Sequence, residues 1–305
     1  DEADGHRRLG TDAVGVVPGD LALPRLGLSE DAWRRQADEV DAILHNGALV
    51  NFVFPYAAMR PPNVLGTMSV LELSALGRPK HLHHVSTVAV FESEGYAEAE
   101  SVAEDADLDR STGLWDGYPQ SKWVAERLVQ EAAARGLAVS VYRPGMVTGP
   151  AVPDVEDPHA LNPGDFIFRM IRGCSALGVA PDLDTLVEIV PVDYVAAALV
   201  RLARDAGPGT WHLTNPYPLR CDTFLDLLGR LGHPTRRLSW EAWRAHALRH
   251  LDPDNPLYPL IPFFGTRADP RSMRLPHFLT DRTRAALGPD RSEEHTSELQ
   301  SPCNL

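Results

Sequence analysis

Lysine is almost missing from this chain: of its 29 basic residues only Lys80 and Lys122 are lysines, and every other one is Arg. Positive charge of any kind is outweighed, with 42 acidic residues and a formal net charge of -13. That balance excludes a general nucleic-acid or anionic-membrane binder, because phosphate recognition needs a basic face. Cysteine is scarce, and Cys174, Cys221 and Cys303 are odd in number and lack metal-ligand spacing. A disulfide framework and a zinc site are thereby disfavoured, and reduced, inert thiols in a cytoplasmic protein are expected. No apolar run reaches the roughly 18 residues that span a bilayer, and no signal-peptide pattern is present. Also missing is the G-x-x-G-x-x-G phrase that hands a pyrophosphate to a helix N-terminus.

What is there is globular in character. The 305 residues are 44% hydrophobic and 23% charged, enough for one large domain or two. The ends stand apart. The chain opens on "DEADGHRRLG", without Met, and closes on "RSEEHTSELQSPCNL" (291–305), which has no apolar period and reads as a translated sequencing adapter. Between them, short apolar runs alternate with amphipathic stretches. "AVGVVPGDL", "VDAILHNGA", "HLHHVSTVAVF" and "LAVSVYRPGMVTG" predict strands. "SEDAWRRQADEV", "PPNVLGTMSVLELSALG" and "YPQSKWVAERLVQEAAARG" predict the helices that separate them. "VEIVPVDYVAAALVRLARD" reads as strand then helix, "GTWHLTNP" as a further strand, and 222–250 as mostly helical. This alternation predicts an α/β fold with a doubly wound parallel sheet, Rossmann-like, and a smaller helical C-terminal region. The expected division is 1–220 for the sheet domain and 221–290 for the helical, substrate-binding region, with 291–305 set aside.

Ligands of such sheets sit beyond the C-terminal ends of the strands. Four ends carry suggestive residues: Gly19 and Asp20, Asn46 to Ala48, Ser86 and Thr87, and Arg143 to Gly145. Between the last two comes "GYPQSKWVAERL", where Tyr118 and Lys122 stand one helical turn apart and share a face. Lys, unlike Arg, is a compact charge that can sit close to a phenol. Other clusters are read as structural. "HLHH" places His81, His83 and His84 on alternating faces with no Cys or carboxylate at ligand spacing. Asp193 is read as a helix N-cap, Trp240, Trp243 and Leu248 as core, and the acidic stretch 94–109 as a solvated loop.

In "VVPGDL", "VDAILHNGALVNFVFPY", "NVLGT", "VSTVAVF", "YPQSKWVAE", "YRPGMVTG" and "PVDYVAAALV" the chain resembles the extended short-chain dehydrogenase/reductases. Within them it is most similar to the thioester reductase domains of nonribosomal peptide and polyketide assembly lines and of carboxylic acid reductases. The resemblance implies an NAD(P)H-dependent oxidoreductase. It would reduce an acyl or peptidyl thioester, held on the phosphopantetheine arm of a carrier protein, to an aldehyde and in some relatives on to an alcohol. NADPH is the implied cofactor. Tyr118 would be the acid, Lys122 would lower its pKa and hold the ribose, Thr87 would bind the carbonyl oxygen and Asn63 would order a relay water. Asp20 and Leu21 would lie near the adenine, Asn46, Gly47 and Ala48 along the crevice, and Pro144, Gly145 and Val147 beside the nicotinamide. The alternatives are a nucleotide-sugar epimerase or dehydratase, a fatty acyl-CoA reductase, or a non-catalytic cofactor sensor. The sequence departs from the family where the glycine loop belongs. The first two strands are then expected to be missing, "AVGVVPG" to be separated from "VDAILHNG", the sheet to carry an unpaired edge, and the chain to bind cofactor poorly.

Overall fold

A computed structural model describes residues 14–151, 162 and 164–288. Both terminal phrases, with Cys303, lie outside them. The centre is a parallel sheet in sequential order: β1 (Ala42–His45), β2 (His81–Val85), β3 (Val139–Pro144) and β4 (Gly209–Leu213). All six residues of β3 are buried, as expected of a strand covered on both faces.

Parallel neighbours need long crossovers, and helices supply them. α1 (Glu30–Glu39) begins where Ser29 Oγ accepts from the Ala32 amide at 3.3 Å. α2 (Tyr56–Arg60) runs through a π-helical turn (Pro61–Leu65) into α3 (Gly66–Ala75). Pro61 and Pro62 have no amide donor, and the ladder slips to a Gly66 N–H bond onto Pro61 O. α4 (Gly117–Ala134) joins β2 to β3. A Cβ on Gly117 would lie 2.3 Å from Phe54 O, so the start of α4 is pressed against the chain ahead of α2. α5 (Phe166–Leu177) and α6 (Val192–Asp205) lie between β3 and β4. α3 and α4 close one face of the sheet over Val70, Leu82, Val129, Val139 and Val141. α6 closes the other over Tyr142, Val195, Leu199 and Leu213.

A second core forms beyond the sheet. α5 packs with α8 (Trp240–His250) and α9 (Ile261–Thr266) over Trp240, Trp243, Phe263 and Phe264, and α7 (Cys221–Arg230) lies beside them. The two indoles stack 5.4 Å apart and donate to Arg267 O (2.9 Å) and Val179 O (3.3 Å). Leu248, read as core with them, is instead exposed, on the far face of α8. A short parallel ladder pairs 179–182 with 236–239, so this core draws on chain from both sides of residue 221. After it, 277–278 pairs with 101–102, and α10 (Asp281–Leu287) packs back on α6.

Three local expectations differ from the structure. "AVGVVPGDL" forms no strand: Val14, Val16 and Val17 are exposed, and the chain turns with Asp20 N–H bonded to Leu26 O at 2.8 Å. An extended segment needs a hydrogen-bonding neighbour. The free side of β1, where Leu44 is exposed, offers none among the described strands. The strand in "HLHHVSTVAVF" stops at Val85, because Thr87 Oγ1 accepts from the Ala89 amide (3.1 Å) and starts a 3-10 turn. The acidic stretch 94–109 is not a solvated loop. Tyr96, Val102 and Leu108 are buried, and buried Glu104 accepts from the Arg282 amide (2.7 Å) and the Thr283 amide (2.9 Å).

The histidines keep structural roles. His81 and His83 stack 4.0 Å apart and meet the Ser140 and Tyr142 hydroxyls at 3.0 and 2.9 Å. Among the described residues no group of His, Cys, Asp and Glu could hold a metal, and no helix is long and apolar enough to cross a membrane. Lys80 is buried at the start of β2, its ammonium donating to Leu76 O and Arg78 O at 2.9 Å each.

Candidate active site

A cavity of about 480 Å³ opens at the C-terminal ends of β1, β2 and β3. Its sheet side brings together Asn46, Ala48, Thr87, Tyr118, Lys122, Pro144, Gly145 and Val147, which come from four separate stretches of sequence. Tyr118 stands half-buried on the first turn of α4, with the Thr87 hydroxyl hydrogen-bonded to its phenol. Ser86 also touches the cavity, but its hydroxyl is committed to Glu126 Oε2 at 2.5 Å, which leaves Thr87 the better placed of the two.

Lys122 lines the same wall, one helical turn along α4 from Tyr118. Its ammonium donates to Val85 O at 2.8 Å, and burial pulls its own pKa down to about 8, with Glu126 opposing. The phenol is pushed up to about 12, first by burial; the Thr87 bond opposes this and the Glu92 charge adds to it. Tyr118 therefore keeps its proton throughout the neutral range. It can surrender that proton only to a strongly basic oxygen, such as a carbonyl oxygen that has just gained an electron pair.

Beneath this wall lies a buried ion pair. Arg143 of β3 holds Glu126 of α4 with Nη2 at 2.5 Å and Nε at 3.0 Å, and reaches Glu104 O at 3.1 Å. The pair fixes α4 against β3, and with it the rotation of Tyr118 and Lys122 over the strand ends.

Four expected positions do not reach the cavity. Asn63 is buried behind it, where its amide accepts from Leu49 N–H (2.7 Å) and donates to Leu49 O (3.0 Å) and Ser121 Oγ (2.9 Å). It braces the 46–49 loop against α4. Leu21 packs over Gly47, where an added Cβ would come within 2.7 Å of its side chain, and Asp20 binds its own turn at Ala22 N–H (2.8 Å). Asp193, read as an N-cap, instead stands in the first turn of α6, whose N-cap is Pro191, and binds Tyr194 N–H at 3.0 Å and Ala151 N–H at 3.2 Å.

Among the lining residues not foreseen, Glu92, Asp116, Glu188 and Arg267 carry ionisable groups at the strand ends or tie them to the helices. Arg267, at the end of α9, pairs with Asp116 at the N-cap of α4 (Nε at 2.8 Å) and with Glu92 beyond β2 (3.1 Å). Its guanidinium also lies 4.6 Å from the Phe263 ring. One side chain thus ties the helical core to both elements that carry Thr87 and Tyr118. Glu188 accepts Asn215 N–H at 2.8 Å on one oxygen, while the other has no hydrogen-bond partner. Burial pushes its pKa up to about 8, so near pH 7 it is mostly a neutral carboxyl. A charged residue inside the apolar run "LVEIVPV" was a readable signal; nothing local distinguishes Arg267.

The male sterility protein family, a family of NAD-binding domains, matches residues 4–199, more than half of the chain. The chain belongs to this family. Its nicotinamide-binding character is thereby supported, and the family resemblance read from the motifs holds. The terminal R domain of the myxalamid PKS-NRPS biosynthetic pathway is similar at 37% identity over 93% of this chain and 73% of that one, with a TM-score of 0.80. The reductase (R) domain of a nonribosomal peptide synthetase from Mycobacterium tuberculosis is 28% identical over 92% and 70% of the two chains, with a TM-score of 0.71. The L-2-aminoadipate reductase of Schizosaccharomyces pombe is 35% identical over 92% of this chain, which spans only 20% of that protein.

The family's cofactor fits the site at one end. Asn46, Lys122, Pro144, Gly145 and the unpartnered Glu188 oxygen line this end, with Glu188 packed closely against Gly145. For the pyrophosphate end, the sequence has no glycine-rich loop.

Proposed function

We propose that this chain is a thioester reductase domain that releases a carrier-bound acyl or peptidyl group as an aldehyde, with NADPH as reductant. The observation that carries the reading is the meeting of Thr87, Tyr118 and Lys122 on one wall of a cavity that continues into an apolar chamber. A bound nicotinamide would supply a hydride to the thioester carbon. This chain's residues handle the oxygen. The Thr87 hydroxyl orients it, and the high-pKa Tyr118 phenol protonates it as charge develops. The product is a hemithioacetal; its C–S bond breaks, the thiol leaves on the phosphopantetheine arm and the aldehyde remains. Lys122, Asn46, Ala48, Pro144, Gly145 and Val147 are the proposed cofactor contacts. Asn63 acts in this reading by holding the 46–49 loop. The partner is an acyl or peptidyl carrier protein, and the setting cytoplasmic.

The test is a chimera in which the N-terminal segment of the myxalamid terminal R domain not covered by this chain precedes residue 14. Aldehyde formation from an acyl-loaded carrier protein, faster with NADPH than with NADH and without turnover of UDP-sugars, is the expected result. Turnover of a UDP-sugar instead would overturn it. The chain alone is expected to bind NADPH weakly, and tight binding in a fluorescence titration would contradict that.

A further inference from the structure

We infer that the cavity selects an uncharged, apolar acyl chain over an acyl group that carries its own carboxylate or ammonium. This rests on the thioester-reductase reading and adds the substrate class to it. Away from Tyr118 the wall passes to α5, α7 and α9, and there it is hydrocarbon: Phe166, Met170, Ile171, Phe224, Leu228 and Phe263 all face the space. Three helices supply these side chains, so they enclose an acyl chain rather than touch it along one edge.

The charged residues of the wall reinforce the point. Among the described lining residues the side chains that are cationic near pH 7 are Lys122 and Arg267, while His233 shares a hydrogen bond with Ser175 Oγ at 3.3 Å. Lys122 stands at the sheet end, bonded to Val85 O. Arg267 is held by two carboxylates at once, Asp116 and Glu92. Among the described residues no unpaired cation stands among the three helices to receive a carboxylate on the acyl group. Of the acids, Glu92 and Asp116 are paired with Arg267, Asp165 caps α5 by accepting from Phe168 N–H at 3.1 Å, and Glu188 stands beside Gly145 at the sheet end, apart from the three helices. A charged acyl group placed among the helices would lose its water and find no partner, a far larger cost than for a methylene chain. An aminoadipyl group, with both an ammonium and a carboxylate, is the kind of substrate this wall cannot pair.

The test uses the purified chain without cofactor, so that nothing is turned over. S-acetyl-, S-butyryl-, S-hexanoyl- and S-octanoyl-pantetheine, and S-aminoadipyl-pantetheine, are titrated into it by calorimetry. Affinity should rise about three- to fourfold for each methylene that is buried. The aminoadipyl conjugate should bind at least roughly tenfold more weakly than the hexanoyl one. Met170→Gln, nearly equal in volume, should weaken octanoyl binding by roughly tenfold and leave acetyl binding unchanged. If that variant does not fold, the chain-length series on the unaltered protein still decides. Affinity that is flat with length, or an aminoadipyl conjugate that binds as well as hexanoyl, would overturn the substrate class while leaving the thioester reading in place. Failure of every pantetheine conjugate to bind would count against both.

Discussion

At the strand ends the cavity is walled by side chains that hold one another through hydrogen bonds and ion pairs, whereas α5, α7 and α9 meet it from the other side with packed hydrocarbon. The two constructions do different work. Directional bonds such as Arg143–Glu126 and Lys122–Val85 fix where individual atoms point, which proton transfer requires. Apolar packing fixes a volume and leaves its occupant free to slide, which suits a chain recognised by area. Arg267 is the place where the two systems are joined.

Substitutions on either side should separate these roles. Tyr118→Phe removes one hydroxyl from the polar wall and should lower aldehyde formation by the chimera about 10²- to 10⁴-fold, with cofactor binding spared. Unchanged turnover would remove Tyr118 from the chemistry. Glu126→Ala strands the buried Arg143 charge and should cost about 3–5 kcal/mol of stability in urea unfolding. A cost below about 1 kcal/mol would mean that the polar wall does not depend on the pair. Arg267→Met should cost less, about 2–3 kcal/mol, because Asp116 and Glu92 keep some contact with water. Its signature is a reduced rate with the acyl-chain-length preference retained; loss of that preference would instead make Arg267 part of the apolar wall.

The effect of Glu188 is read through pH, and it has a sign. Its pKa of about 8 lies above the ordinary 4.5, so the fold is undisturbed by this group below pH 4.5 and loses stability as pH rises through 8. Relative to Glu188→Gln, the unaltered chain should lose roughly 2–4 °C in Tm across that interval, for each kcal/mol or so of charging cost. A parallel pair of Tm curves would show that the carboxyl ionises freely.

How far each wall could be read from the sequence follows from the same contrast. The polar wall is written in short phrases, because a strand end and its following turn are contiguous: Thr87, Tyr118, Lys122 and the 144–147 segment were all legible. The apolar wall comes from helices that meet only after the chain has closed on itself. Phe166 and Phe263 stand 5.4 Å apart across nearly a hundred residues, and no local pattern marks either. The strand expected in "AVGVVPGDL" failed for a similar reason. Valines and a closing turn give a segment strand character, but only a neighbour gives it a ladder, and that neighbour is a tertiary fact. Glu104 was misread with the acidic stretch around it, since its partners, the amides of 282 and 283, lie far along the chain.

The near absence of lysine has a practical use. Both lysines are buried, but in different settings: Lys80 lies sealed at the start of β2, and Lys122 meets only the cavity at the other end of that strand. Amine-directed acylation followed by peptide mass mapping thus has two built-in reporters. Modification at Lys122 registers an open site and its protection an occupied one, while modification at Lys80 registers the opening of the sheet itself.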